Sequence, residues 1–365
     1  MRFGKKRRLE GGCCGGVRMK TLSVYTLGQG EEWDAIVRTF KDYDVYWLSG
    51  YVKAFWLYGD GEPRLFYYND GVTRGINVVM MRDVAKDEHF IGKIPEKQFY
   101  DFATPYGYGG WIIEGERKDE LFEAYERWIN KNHIISEFVR FHPLVKNNET
   151  AGGFYEVHML GEVVHIDLSS RQSIWDNFIS QNRNKIRKSI KCGVKIYNGR
   201  YPEIFERFKK IYDVTMDQDN AEDYYYFDQN FFESVMESLP RNVQIFYAVK
   251  DKTVIAASIM LAANGRMNYH LSGSLREYNN LAPVNLLLYE AALWGNENGC
   301  RSLYLGGGVG SDEDSLFIFK RGFNRGELNR FYIGKKIYDK EKYRQLMEIR
   351  GMASDRSSYF PAYRG

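Results

Sequence analysis

A chain of 365 residues, 16% aromatic and 27% charged, is long and apolar enough to bury the cores of two ordinary domains, which excludes a disordered protein. Its formal charge of +3 is too small to impose a nucleic-acid reading, so a polyanion site would have to be a local patch. The four cysteines (Cys13, Cys14, Cys192 and Cys300) form no CxxC pair and have no histidines gathered around them, which argues against a metal site and a disulfide framework and for a reducing compartment.

Along the chain, residues 1–18 are basic and then glycine-rich, and they lack the apolar stretch of a signal peptide. They are expected to form a solvated, disordered tail, with Met19 as an alternative start and the cytoplasm as the expected location. No apolar run approaches the roughly 20 residues that span a bilayer. Residues 64–69 and 72–82 read as strands around an Asp70-Gly71 turn, and FYDFAT as a third strand. The loop TPYGYGG, residues 104–110, offers glycines for close backbone approach and Tyr106 and Tyr108 as stacking surface; a plain turn with structural aromatics is the other reading. A helix is expected over about 118–131, then the strand IISEFVRF.

Two helical stretches follow, about 171–191 and 203–216, joined by the strand GVKIY. The first contains RNKIRKSIK, in which Ile186 and Ile190 are expected to face the core. Arg183, Lys185, Arg187, Lys188 and Lys191 would then form a cationic face able to hold a diphosphate or an RNA backbone, or merely a solvated one. TMDQDNAEDYYYF, residues 215–227, reads as a long polar loop ahead of a helix near 228–238. Its spacing does not fit a calcium loop. Residues 243–250 and 253–263 read as a hairpin around Asp251-Lys252. Asn264-Gly265 leads into a third strand, RMNYHLSG. Pro283 opens a helix that runs to Asn298 with Gly299 as its cap, and the short strand RSLYL ends in Gly306-Gly307-Gly308. In DSLFIFKRGF, Asp314 is placed to cap a helix, and Lys320, between Phe319 and Phe323, is expected in a partly dry site. The chain after Lys336 has charged helical character to about Arg350.

The order hairpin, strand, helix, strand therefore occurs twice, and each helix carries a late tryptophan, Trp128 and Trp294. This predicts a duplicated α/β (α+β layered) protein: two tandem domains, each a mixed central sheet flanked by helices. The expected division is 1–18 tail, 19–168 N-terminal domain, 169–336 C-terminal domain, and 337–365 a helical tail packing back on the N-terminal domain.

The repeated order is that of the acetyltransferase (GNAT) superfamily. PYGYGG, RNKIRKSIKCGVKI, TMDQDNAEDYYYF, YHLSGSLREYNNLAPVNLLLYEAALWGNENGC and DSLFIFKRGF, taken in sequence over about residues 40–335, resemble the Fem family of peptidoglycan cross-bridge enzymes. That resemblance implies two tandem acetyltransferase-type domains without a coiled-coil arm. It implies transfer of an aminoacyl group from aminoacyl-tRNA to a side-chain amine of a peptidoglycan precursor. It makes Lys320 the first catalytic candidate with Phe319 beside it, and assigns precursor phosphates to the basic helix around Arg183, Lys185 and Arg187 and to Lys53. Gly306, Gly307, Gly308 and Asn285 are the donor-side candidates, and Tyr106 and Tyr108 the substrate-side aromatics.

One departure concerns the donor. The glycine-rich pyrophosphate loop of acyl-CoA-dependent relatives is replaced by REYNNLAPVN, which weakens an ordinary CoA site. No bound cofactor is expected, only a co-substrate, aminoacyl-tRNA or acyl-CoA. His270 and Asp314 are the candidates for the base that deprotonates the amine, a structural histidine being the alternative for His270. Expected partners are a peptidoglycan or envelope-sugar precursor, the acceptor end of tRNA, and the membrane periphery through a lipid-linked substrate. Two other functions stay open: an acyl-CoA-dependent N-acyltransferase acting on an amino sugar, and a non-catalytic binding module.

Overall fold

The computed structural model describes residues 21–352 and 359–365; the expected N-terminal tail, with Cys13 and Cys14, lies outside them. The first half runs β1 (Thr21–Tyr25), α1 (Gly30–Val37), α2 (Ser49–Tyr58), β2 (Glu62–Asn69), β3 (Arg74–Asp83), β4 (Tyr100–Ala103), β5 (Ile112–Glu114), α3 (Lys118–Lys131), β6 (Ile134–Arg140), α4 (Asn148–Ala151) and β7 (Glu156–Asp167). The second runs α5 (Arg171–Asn177), α6 (Ser180–Lys191), β8 (Lys195–Gly199), α7 (Pro202–Asp219), α8 (Gln229–Ser238), β9 (Val243–Lys250), β10 (Thr253–Ala263), β11 (Arg266–Ser274), α9 (Pro283–Glu297), β12 (Ser302–Gly306), α10 (Ser315–Arg321), β13 (Asn329–Ile337) and α11 (Lys340–Ile349).

All strands join one sheet in the order β1-β2-β3-β4-β6-β13-β7-β12-β11-β10-β9-β8, with β5 alongside β3. The order is a palindrome about the antiparallel pair β13–β7. β4 and β6 pair in parallel, and so do their counterparts β11 and β12. The two late tryptophans occupy matching places: Trp128 packs edge-on to Phe66 of β2 at 4.8 Å, and Trp294 edge-on to Phe246 of β9 at 5.7 Å. The duplication is thus visible in strand order and in individual ring contacts.

Alternation along the strands sends neighbouring residues to opposite faces. Leu65, Val78 and Ile245 join one core that continues beneath α1, α2, α7 and α8. Phe66 and Val79 enter a separate core under α3, and Phe246 a third under α5, α6, α9 and α10. The sheet is therefore a shared wall with a helical layer on each side, as expected of an α/β protein.

Four local expectations need correction. Residues 171–191 are two helices, because Phe178 adopts extended backbone and ends α5 before α6 begins. In α6 the inward row is Asn182, Ile186 and Ser189. Ile190 lies about 70° from the centre of that stripe and is 54% exposed rather than in the core. Residues 215–219 continue α7 to its left-handed cap at Asn220, so the loop is shorter than expected and Phe227 within it is buried. Finally β13, placed by sequence in the C-terminal unit, pairs with β6 and β7 in the N-terminal half of the sheet. Each half completes its sheet next to the other's closing strand, which binds the halves by backbone hydrogen bonds rather than by side chains alone. The last residues also return to the first half: Tyr343, Leu346 and Met347 of α11 pack with Val84, Phe90 and Ile135, and Tyr363 and Arg364 both donate to Asp101.

Candidate active site

β11 and β12 are hydrogen-bonded only from Arg266/Ser302 to Asn268/Tyr304. Beyond that point β11 continues to Ser274 while β12 ends at Gly306, so the sheet opens between two parallel strands at their C-terminal ends. In α/β folds such an opening is where ligands gather. The register of β11 against β10 slips between Ile259 and Met260, which leaves His270 as the extra, bulged residue on the rim.

The catalytic candidate lies at this opening. Gly306 has a left-handed backbone (φ 82°), and a Cβ there would stand 3.5 Å from Lys320 Nζ and 3.9 Å from the Tyr304 ring. The loop therefore passes between the lysine and the tyrosine because a glycine occupies that corner. Lys320 is 8% exposed, and its Nζ donates to the carbonyl of Gly307 at 2.6 Å. Burial pulls the ammonium down to about 8, while the charge of Asp314 works in the opposite direction. Asp314 caps α10: its Oδ1 accepts from Phe317 N–H at 2.8 Å, and its Oδ2 from Val309 N–H at 3.1 Å. Those backbone hydrogen bonds, that of Phe317 first, hold the carboxyl below its ordinary range. Gly308 packs so tightly under this turn that a Cβ would fall 2.1 Å from the Asp312 carbonyl oxygen. Gly306, Gly307, Gly308, Asp314 and Lys320 are one unit. Phe319 turns away from it and packs edge-on to Phe323 at 5.4 Å.

Next to α10, Asn285 of α9 donates to Asn182 of α6 at 3.2 Å, and the Asn182 Nδ2 is buried without a protein partner. Asn182 belongs to the same segment as the basic cluster, yet a buried polar amide in a cationic helix gives no composition signal. The segment ahead of α9 is a short helical turn, Arg276–Leu281, ending at Ala282 with φ 53°. No glycine occupies this turn ahead of α9.

The other half supplies the opposite rim. The Tyr108 hydroxyl, from the 104–110 loop, shares a 2.5 Å hydrogen bond with that of Tyr304 on β12. Tyr106 lies 5.9 Å from the His270 ring and is surrounded by Phe55, Tyr224, Tyr225 and Phe227. The His270 ring also meets Tyr51, and its Nε2 has no hydrogen-bond partner. Burial lowers its pKa to about 3, so the imidazole is neutral. Below the tyrosine pair, buried Asp44 accepts from Asn268 Nδ2 at 3.1 Å and pairs with His142 Nε2 at 3.1 Å. His142 Nδ1 accepts the N–H groups of Leu144 and Val145, which places the proton on Nε2. Sequence reading missed Tyr304, Asp44, His142 and Asn182, whose partners lie up to 224 positions away.

The proposed phosphate ligands do not all converge here. The Arg183 guanidinium donates to the carbonyls of Phe178, Asp176 and Trp175 and so closes the end of α5. Arg187 lies over Trp175 at 5.1 Å, exposed beside Lys185. Lys53 is exposed on α2, in the helical layer across the sheet from α10, where it lines an open cleft of about 890 Å³ with Glu31, Glu32 and Arg38. Among the described residues no group of His, Cys, Asp and Glu has metal-site geometry, Cys192 and Cys300 are unpaired thiols, and no helix is long and apolar enough to cross a membrane.

No curated protein matches the sequence. Several solved structures share the fold. FemX aligns with a TM-score of 0.63 at 13% identity, over 87% of this chain and 98% of its own. The C-terminal domain of an Agrobacterium fabrum protein assigned as a lysylphosphatidylglycerol synthetase gives 0.53 at 13%, over 85% and 92%. A Bacteroides thetaiotaomicron protein of unknown function gives 0.56 at 10%, over 87% and 100%. At such identities these likenesses speak for the fold. Residues 180–320, which contain the opening, the glycine loop and Lys320, match the acetyltransferase (GNAT) domain family, and the protein is an acyltransferase that carries a GNAT-like domain over this segment.

Proposed function

We propose that the protein forms an amide by moving an aminoacyl group from an ester donor to an amine of a cell-envelope precursor. The observation that carries this reading is Lys320: a buried ammonium beside a glycine loop at the mouth of two splayed strands, with no glycine cradle for a CoA pyrophosphate in front of α9. The neutral acceptor amine attacks the ester carbon and the carbonyl π electrons move to oxygen; they return to re-form the carbonyl as the C–O bond to the donor breaks, and the proton lost by the attacking nitrogen goes to the leaving oxygen. In a dry site the Lys320 ammonium stabilises the tetrahedral oxyanion far better than it would in water. Asp314 keeps that ammonium charged and holds the loop in shape.

With its pKa near 3, His270 binds a proton too weakly to take one from an ammonium. Its neutral Nε2 instead accepts a hydrogen bond from the incoming amine and orients the lone pair toward the donor. Tyr106 forms the wall beside it. Likeness to FemX over nearly the full length supports a peptidoglycan precursor as acceptor. The Agrobacterium fabrum neighbour, named for the synthesis of lysylphosphatidylglycerol, supports an aminoacyl donor.

A second reading, N-acylation of an amino sugar from acyl-CoA, is favoured by the domain match at residues 180–320. The test is amide formation by the purified protein with labelled aminoacyl-tRNA or acyl-CoA, offered with nucleotide-linked and lipid-linked precursors. Transfer from charged tRNA alone is expected; transfer from CoA alone moves the protein to the second reading.

A further inference from the structure

The geometry points to a membrane-docking surface around the mouth of this site, made of exposed aliphatic residues flanked by the cationic face of α6, with an anionic lipid bilayer as its partner. It rests on the proposed envelope substrate and narrows it to one presented at the membrane. Val309 is 71% and Ile318 67% exposed, and Met159, Leu160 and Leu316 are each more than a third exposed. These residues come from two places that the fold brings together. Met159 and Leu160 stand at the irregularity in β7 where the register against β13 slips. The next residue, Gly161, lies under Ser311, whose carbonyl oxygen would be 2.4 Å from a Cβ. Val309 is two residues before that contact; just after it, Ile318 is on the solvent side of α10 and Leu316 on its flank, one turn before Lys320. Lys320, on the buried side of the same helix, faces Gly307, which itself packs on the Glu162 carbonyl of β7. The aliphatic side chains thus rim the reaction centre.

Five exposed aliphatics serve no purpose in holding an RNA backbone, whereas they suit insertion among lipid chains. The charge around them fits the anionic leaflet. The end of α10 is tied to the start of α6 by the Ile179 N–H to Gly322 carbonyl hydrogen bond at 3.0 Å, and both helices belong to one layer. α6 contains no acidic residue and exposes Lys185, Arg187, Lys188 and Lys191, with Ile190 between them. Asp312 and Glu313, exposed on the loop after Val309, oppose an anionic surface, so the four cations outnumber two acids. Held this way, a lipid-linked substrate would diffuse in the membrane plane to a site already facing it.

The experiment is co-sedimentation of the full chain with phosphatidylcholine vesicles with and without phosphatidylglycerol. Residues 1–20 include Arg2, Lys5, Lys6, Arg7 and Arg8 and can attract anionic lipid by themselves; they are common to every variant, so differences between variants report the patch. Binding to the phosphatidylglycerol vesicles is expected. Ile318→Asp with Leu160→Asp should lower the partition at least tenfold with an unchanged circular dichroism melt. The milder Ile318→Ser with Leu160→Ser serves if the charged pair misfolds. Lys188→Glu with Lys191→Glu should reduce both the partition and its salt dependence. Equal partition of wild type and the aliphatic variants, or no wild-type binding, overturns the proposal. So does a wild-type dimer that these variants convert to monomer, which would make the patch a self-association surface. Vesicle binding without transfer to any precursor would defeat the functional reading alone, and transfer to a soluble precursor without vesicle binding would defeat the docking surface alone.

Discussion

The two halves of the molecule follow one plan, and the difference that bears on chemistry lies between the central helix and the paired parallel strands. In the second half β11 and β12 part after Tyr304, and the gap holds the glycine loop and Lys320, with the Asn182 amide nitrogen, which has no protein partner, beside the end of α10. In the first half the corresponding strands stay together: β4 pairs with β6 through Ala103 and Phe138, and a further bridge joins Gly109 to Phe141. The space under α3 is filled by Trp111 and by Phe122 stacked on Phe154 at 4.1 Å. The buried Glu137 carboxylate accepts from Tyr338, Tyr155, Tyr125 and Asn77. The start of α3 is also tied down, since Arg117 N–H donates to Thr73 and its guanidinium meets Asp70. One copy has kept an opening and the other has packed it shut, becoming a scaffold that lends the tyrosine loop to its partner. Under the proposed function, the difference divides reactivity from stability within a single sheet.

The sharpest way to break that contrast is to remove Lys320 from the open half. Lys320→Ala should lower the rate of transfer by about 10²- to 10³-fold, the usual loss for an oxyanion-stabilising donor. Lys320→Met should melt no lower than wild type, because it relieves the burial of a charge in a site where stability is given up for activity. Single-turnover transfer and thermal unfolding measure the two effects. A Lys320→Met protein that stays active would remove the mechanism.

The closed half should respond in the opposite sense. Glu137→Ala leaves three tyrosine hydroxyls and an amide buried without their acceptor, a loss of about 3 kcal/mol in urea unfolding, with turnover per folded molecule unchanged. The pH dependence has a definite sign. Burial first, partly offset by its four donors, raises the Glu137 pKa above 4.5. A raised carboxyl favours folding when protonated, so its contribution is fully present below about pH 4.5 and is lost as pH rises through the raised value. The difference in stability between Glu137→Gln and wild type should therefore change across that window and be flat above it. A flat difference throughout would mean that Glu137 titrates alike in both states.

How much of this was legible in the sequence follows from the range of the interactions. The hairpins at Asp251-Lys252 and Asn264-Gly265, the helix opened by Pro283, and the strand ending at Gly306 are set by local backbone rules, and the structure has them where spacing puts them. The cap at Asp314 is a three-residue signal and was readable too. The exchange of β7 and β13 was not, since a strand's pattern records which face is apolar and not which neighbour it pairs with. Arg183 looked like its basic neighbours because composition does not tell a guanidinium turned onto carbonyls from one turned to solvent. The Tyr108–Tyr304 hydrogen bond spans 196 positions and exists only because the two halves meet.

The smallest effect bears on how the open half tunes its lysine. The Lys320 ammonium is drawn down by burial to about 8 and supported by Asp314. As pH rises through that value the ammonium is lost, and on the proposed mechanism the stabilisation of the oxyanion goes with it. Transfer measured on a donor and acceptor that do not titrate there should therefore decline above about pH 8. Lys320→Arg, which stays charged, should show no such decline even if its overall rate is lower. In Asp314→Asn the supporting charge is gone, so the descending limb should move to lower pH. The variant amide can still accept the N–H of Phe317 or Val309, which keeps most of the loop in place. The two readings of Asp314 part here. If the carboxylate acts only as a cap, the rate falls equally at every pH; if it also holds the proton on Lys320, the limb shifts while the plateau at low pH is largely retained.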